Sequence, residues 1–164
     1  MPETFTLRST IPALPKAVYD AWLDGKKHGD MTGGDATCEA RVGGQFTAWD
    51  EYIEGTTLEL TPGRRIVQSW RTFEFPPNAP ESRLEILLEP VGGSTRLTLI
   101  HSNIPEGQAA AYKKGWEDHY FAPMQEYFAR FAQNDRAKPK TQKPLRKRAA
   151  AKPAAKPARK RKAK

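Results

Sequence analysis

Residues 107–131 restrict the fold more than any other stretch. Wound at about 100° per residue, they gather Ala109, Tyr112, Trp116, Tyr120, Met124, Tyr127, Phe128 and Phe131 on one side. Lys114, Asp118, Gln125 and Glu126 lie opposite. No other segment could form so long a helix, and a stripe this aromatic needs a broad, concave apolar partner. Pro123 interrupts the helix. It cannot donate to the His119 carbonyl and costs about 3 kcal/mol relative to a good helix former, so a bend is expected within the turn before it.

The rest of the chain supplies a sheet for the stripe to pack on. Phe5, Leu7, Ser9 and Ile11 alternate with Thr4, Arg8 and Thr10 as in a half-buried strand, which Pro12 ends. Pro15 suits the first residue of a short helix carrying Val18, Ala21 and Trp22. Asp24 to Asp35 is either a second short helix or an open loop, and its Gly29–Gly34 stretch reads as a mobile loop near a cavity mouth. Six strands follow, over Thr37–Arg41, Gln45–Asp50, Tyr52–Leu60, Arg64–Phe75, Arg83–Glu89 and Leu97–His101, joined by glycine- and proline-rich turns. Gly55 marks a bulge or tight bend. Short connections make the sheet antiparallel. The expected architecture is α+β: a curved antiparallel sheet of six to seven strands around the long helix, with two short helices after the first strand.

Several residues recur at telling places. They are Val42-Gly43-Gly44-Gln45-Phe46, Asp50, Gly55, Leu60, Pro62 and Ile66-Val67-Gln68-Ser69-Trp70-Arg71, then Thr95-Arg96-Leu97-Thr98-Leu99, Ile104-Pro105, Gly115-Trp116 and Tyr120-Phe121. Over residues 4–131 this pattern resembles the C-terminal domain of the heat-shock protein 90 ATPase activator family, within the SRPBCC or START-like (Bet v 1-like) superfamily. The resemblance implies a helix-grip fold, often with a hydrophobic cavity between sheet and helix. It also implies three functional readings: a non-enzymatic binder of a small hydrophobic molecule or lipid, a partner of heat-shock protein 90 that stimulates its ATPase, or a cyclase- or hydrolase-type enzyme.

Candidate cavity residues are Phe46, Trp70, His101, Trp116, Tyr120 and Met124. Each is also a plain core candidate. The helix divides, its second half reading as core and part of its first half as pocket wall, because Lys113 and Glu117 share the apolar arc and resist burial, so that half either lies beyond the sheet edge or borders a wet opening. His101 is either a buried neutral imidazole with a hydrogen-bond partner or a polar anchor inside a cavity. Cys38, His28, His101 and His119 lack the tight spacing of zinc ligands. No residues form a nucleophile–base motif, and no cofactor is implied.

Charge separates the body from the tail. Residues 136–164 hold 14 Lys and Arg and no acidic residue, whereas the first 135 hold the other 13 against all 19 acidic residues. The net +8 therefore divides into +14 on the tail and −6 on the body. Residues 1–134 form the expected domain, and 135–164 a disordered Lys/Pro/Ala-rich tail. Lys147, Arg148, Lys152, Lys156, Arg159, Lys160, Arg161 and Lys162 are the candidate contacts to nucleic-acid phosphates, without base readout. Neutralising about eight phosphates would give log K a slope of about −7 against log salt. With one cysteine, no apolar signal-peptide region and no span-length apolar run, the chain reads as cytoplasmic and, through its tail, nucleoid-associated.

Overall fold

The computed structural model describes residues 1–137, with side chains to residue 131. The eight candidate nucleic-acid contacts lie outside the described residues. The chain divides into a unit Met1–Arg130 and another beginning at Phe131, and the sheet and its site belong to the first.

The element order is β1 (Glu3–Ile11), α1 (Pro15–Trp22), α2 (Gly25–Thr32), β2 (Thr37–Cys38), β3 (Gln45–Ala48), β4 (Ile53–Thr61), β5 (Arg65–Thr72), β6 (Ser82–Val91), β7 (Ser94–Ile104), α3 (Ala109–Trp116) and α4 (Ala122–Ala137). Between α3 and α4 lies a π-helical turn, Glu117–Phe121. The seven strands form one antiparallel sheet in the order β1-β7-β6-β5-β4-β3-β2. This is the helix-grip architecture: only the β1-to-β7 neighbour pairing joins strands distant in sequence.

Local chemistry explains most boundaries. Pro15 opens α1. Asp24 caps α2 by accepting from the Lys27 N–H at 3.0 Å, and Gly33, at φ 97°, stops it. Residues 29–32, expected in a mobile loop, are therefore helical, and Met31 is buried in the core. β2 is shorter than expected because residues 39–44 fold into turns, with Gly44 so close to the Glu39 carbonyl that a Cβ would lie 2.3 Å from it. β6 outlasts β5, so Pro90 faces no strand on that side. The hairpin then closes over Gly92-Gly93, both at positive φ.

The core lies between the sheet and the helices. Ile66, Leu84, Ile86, Leu97 and Leu99 meet Val18, Trp22, Met31, Met124 and Phe128 there. The turn before Pro123, where a bend is expected, is π-helical rather than α-helical. The Ala122 N–H bonds to the Glu117 carbonyl, five residues back, which widens the turn. That shift of register accommodates the missing proline donor.

Gly55 marks the sharpest contact within the sheet. The β4–β5 ladder is regular at Glu54↔Arg71 and resumes at Thr57↔Gln68, with a register shift between Thr57 and Glu59. Between them the Thr56 N–H bonds to the Ser69 hydroxyl at 2.8 Å rather than to backbone. A Cβ on Gly55 would sit 1.9 Å from the Ser69 carbonyl oxygen and 2.8 Å from the Phe46 ring. Gly55→Ala should therefore destabilise the fold by about 3 kcal/mol in urea unfolding, because backbone rather than a flexible side chain must move.

Candidate functional site

Eight rings form the centre of the molecule: Trp22, Trp70, Phe75, Tyr112, Trp116, Tyr120 and the buried His28 and His101. Trp70 packs on His101 at 4.6 Å, on Tyr112 at 5.0 Å and on Trp116 at 5.7 Å between centroids. Trp116 in turn packs on Tyr120 at 4.6 Å, and Trp22 on Tyr120 at 5.2 Å.

Their polar atoms are paired in a way that fixes both histidines. An indole N–H only donates, so His101 Nδ1 must accept from Trp116 Nε1 at 3.2 Å. His101 Nε2–H then donates to Ser82 Oγ at 2.9 Å, and Ser82 donates to the Trp70 carbonyl at 2.6 Å. His28 has the opposite tautomer. Its Nδ1–H donates to the Trp22 carbonyl at 2.9 Å, and its Nε2 accepts from the Tyr120 hydroxyl at 2.8 Å. Burial pushes His101 down to about 3 and also lowers His28, so both rings are neutral. Burial raises the Tyr120 phenol well above its usual range. Of the two readings of His101, the geometry matches the buried, fully partnered imidazole.

Beside this cluster is a cavity of about 330 Å³. Trp70, Tyr112, Gly115, Trp116 and Tyr120 form one part of its wall, and Trp49, Tyr52, Ile53 and His119 the other. Its surface is almost wholly apolar. Gly115 helps keep it open: a Cβ there would meet nothing within 4 Å. Glycine inside a helix costs about 1 kcal/mol relative to alanine, so local helix stability is sacrificed where a larger side chain would fill space. His119 and Tyr120 come from the π-helical turn.

The outer wall rests on strained backbone. Trp49, Asp50 and Glu51 have φ of 51°, 57° and 74°, a left-handed run without glycine. Such a conformation costs about 1–2 kcal/mol per ordinary residue. It is held by Asp50 N–H to the Asp35 carbonyl at 3.0 Å and by Asp35 N–H to Asp50 Oδ1 at 2.9 Å. Gly34 leaves room for the Trp49 ring, which would lie 2.5 Å from a Cβ at that position. The turn carries Trp49 to His119, 5.7 Å away edge to face, and leads into Tyr52.

Of the six residues singled out from sequence, Trp70, Trp116 and Tyr120 line this cavity. Phe46, His101 and Met124 do not. Phe46 is buried beside Gly55, His101 is completely enclosed, and Met124 belongs to the core. Lys113 and Glu117, on the apolar arc, are exposed. Sequence reasoning missed Trp49, Tyr52, Ile53 and His119. Trp49 opens the strained turn and Tyr52 follows it, and only their aromatic character beside two strand ends signalled a role. Cys38 is half-buried, and burial, then Asp24 and Glu39, push its thiol up to about 11, so it stays protonated at neutral pH.

This fold has relatives. The family model described as Activator of Hsp90 ATPase homolog 1-like protein matches residues 12–129. The chain belongs to this family. Over 116 residues it is 28% identical to an activator of 90 kDa heat shock protein ATPase homolog from Dictyostelium discoideum, covering 70% of this chain and 30% of that protein. The chain thus spans less than a third of that curated relative. An HSP90 activator from Plasmodium falciparum shares the fold with a TM-score of 0.71 at 22% identity, covering 77% of this chain and 96% of that one. A protein from Chromobacterium violaceum aligns with a TM-score of 0.60 at 25% identity, covering 76% and 96% respectively. Among the described residues of this activator homologue, no helix is long and apolar enough to cross a membrane.

The neutral histidines make the stability of this family member pH-dependent. An unfolded imidazole takes up a proton near pH 6.5, whereas His101 in the fold resists protonation down to about 3. Below pH 6.5 the unfolded chain therefore binds more protons, and stability falls as pH falls towards 3. His101 alone should remove about 2 kcal/mol between pH 7 and pH 5, with His28 acting in the same direction. Urea unfolding at the two pH values measures this, and equal stabilities would contradict the neutral, buried assignment.

Proposed function

We propose that the protein binds a small hydrophobic molecule or lipid in the aromatic cavity between the sheet and the helix. The observation that carries this reading is an apolar space of about 330 Å³ beside a helical glycine whose missing side chain leaves it unfilled. The pairing of three wall polar groups with protein partners supports binding rather than chemistry: Tyr112 donates to Gln108 at 2.8 Å, Tyr120 to His28 and Trp116 to His101. Native mass spectrometry of the purified protein should show a co-purified apolar molecule. The neutral dye N-phenyl-1-naphthylamine should bind the wild type, with its emission enhanced. Gly115→Leu should fold, with unchanged circular dichroism, and lose at least about tenfold in dye affinity by filling the space. Equal dye binding by a folded Gly115→Leu would sink the proposal.

Family membership favours a second reading, interaction with heat-shock protein 90. The matched relative from Dictyostelium discoideum is named for activation of its ATPase, and the match covers most of the described body. In that reading the outer surface of the sheet and helices contacts the chaperone. Saturating protein should raise the steady-state ATPase rate of the cognate chaperone, and an unchanged rate at saturation would remove this reading while leaving the cavity proposal intact.

A further inference from the structure

The cavity wall has a chemical bias beyond being apolar. Six of its nine residues are Trp or Tyr, and Ile53 is its one branched aliphatic side chain. No Lys, Arg, Asp or Glu is in the wall. Tyr112, Trp116 and Tyr120 direct their polar atoms at Gln108, His101 and His28, so these three wall groups have little to offer a hydrogen-bonding head group. An anion would find no Lys or Arg in the wall to pair with. Ring faces remain, and the face of an aromatic ring carries the negative part of its quadrupole.

Negative charge lies just behind the rings. The Tyr52 hydroxyl donates to Glu74 Oε2 at 2.9 Å, and this charge-assisted bond makes the phenol more electron-rich. Asp50 and Glu51 occupy the turn between Trp49 and Tyr52. On the helix side, Lys114 is tied to Asp118 at 2.8 Å, while Lys113 and Glu117 offset one another in formal charge. The first 135 residues carry a net −6.

We infer that the cavity selects a hydrophobic organic cation, a tertiary or quaternary ammonium group borne on aryl or alkyl carbon. This rests on the cavity reading and narrows its ligand class. Trimethylated nitrogen suits such a wall because it has no N–H to satisfy and spreads its charge over methyl groups that can lie against ring faces.

The test uses two probes of the same shape. Phenyltrimethylammonium and tert-butylbenzene differ only in N⁺ replacing carbon, and binding of each to the full-length protein is followed by tryptophan emission. The cation should bind about tenfold more tightly than its neutral isostere, and Glu74→Gln should narrow that preference by about threefold. Equal or tighter binding of tert-butylbenzene overturns the cation inference while upholding the cavity. Loss of binding by both probes, with N-phenyl-1-naphthylamine still bound, overturns it likewise. If the dye also fails to bind, the cavity reading itself has failed and this inference falls with it.

Discussion

The structure depends on a set of hydrogen bonds that join polar atoms of buried rings across the boundary between its two layers. An indole or imidazole N–H left unpaired inside a protein costs about 1–3 kcal/mol, so the pairing dictates which surfaces can meet. Trp116 of α3 reaches His101 of β7, which reaches Ser82 of β6, which reaches the backbone of Trp70 in β5. Trp22 of α1 donates to Gln68 of β5 at 3.2 Å, and Gln68 donates to Thr57 of β4 at 3.2 Å. The His28–Tyr120 bond joins α2 to the π-helical turn. Hydrophobic burial alone would let the helices slide over the sheet, since it is non-directional. These bonds fix the position of the helices.

The same bonds explain how an apolar space persists. A cavity lined by freely rotating side chains tends to close, because each lining atom gains contacts by doing so. Here Trp116 and Tyr120 are secured at their polar ends, and the centroid distances among Trp70, His101, Trp116 and Tyr120 are 4.6–5.7 Å for the pairs in contact. The outer wall is held differently, by a left-handed turn that relies on Asp35 and Asp50 to offset its strain. One wall is therefore rigid through pairing, the other through backbone constraint. The ligand class suggested by the ring faces draws on the first of these, since the polar atoms of Tyr112, Trp116 and Tyr120 are already engaged.

Much of this was legible in the residues, for reasons that can be named. The order of elements along the chain followed from alternation and turn chemistry, and the division of the helix followed from charged residues on an apolar arc. The π-helical turn had a signal that helical averaging hides. Tyr112, Trp116, Tyr120 and Met124 recur every fourth residue, which in an ideal α-helix drifts about 40° per step. Three such steps drift about 120°, the breadth of an ordinary apolar face, and a widened turn brings them back into line. His101 could not be resolved from sequence because its role depends on partners from three other elements. Trp49 was missed because positive φ in a tryptophan has no sequence mark of the kind that glycine gives. The length of α2 was misjudged because its glycines outweighed the Asp24 cap in a local reading.

The widened turn also sets a phase relation. One residue corresponds to about 100° of helical rotation, so the two halves of the helix are tuned to one another by a single inserted position. Removing one residue between Glu117 and Phe121 would leave Met124 and Phe128 seated in the core while rotating Tyr112 and Trp116 off the sheet. Its tolerance is thus opposite to that of a surface loop: substitutions on the outward face are absorbed, whereas a change in length is not. In this chain the aromatic space is as much a matter of angular timing along one helix as of which side chains that helix carries.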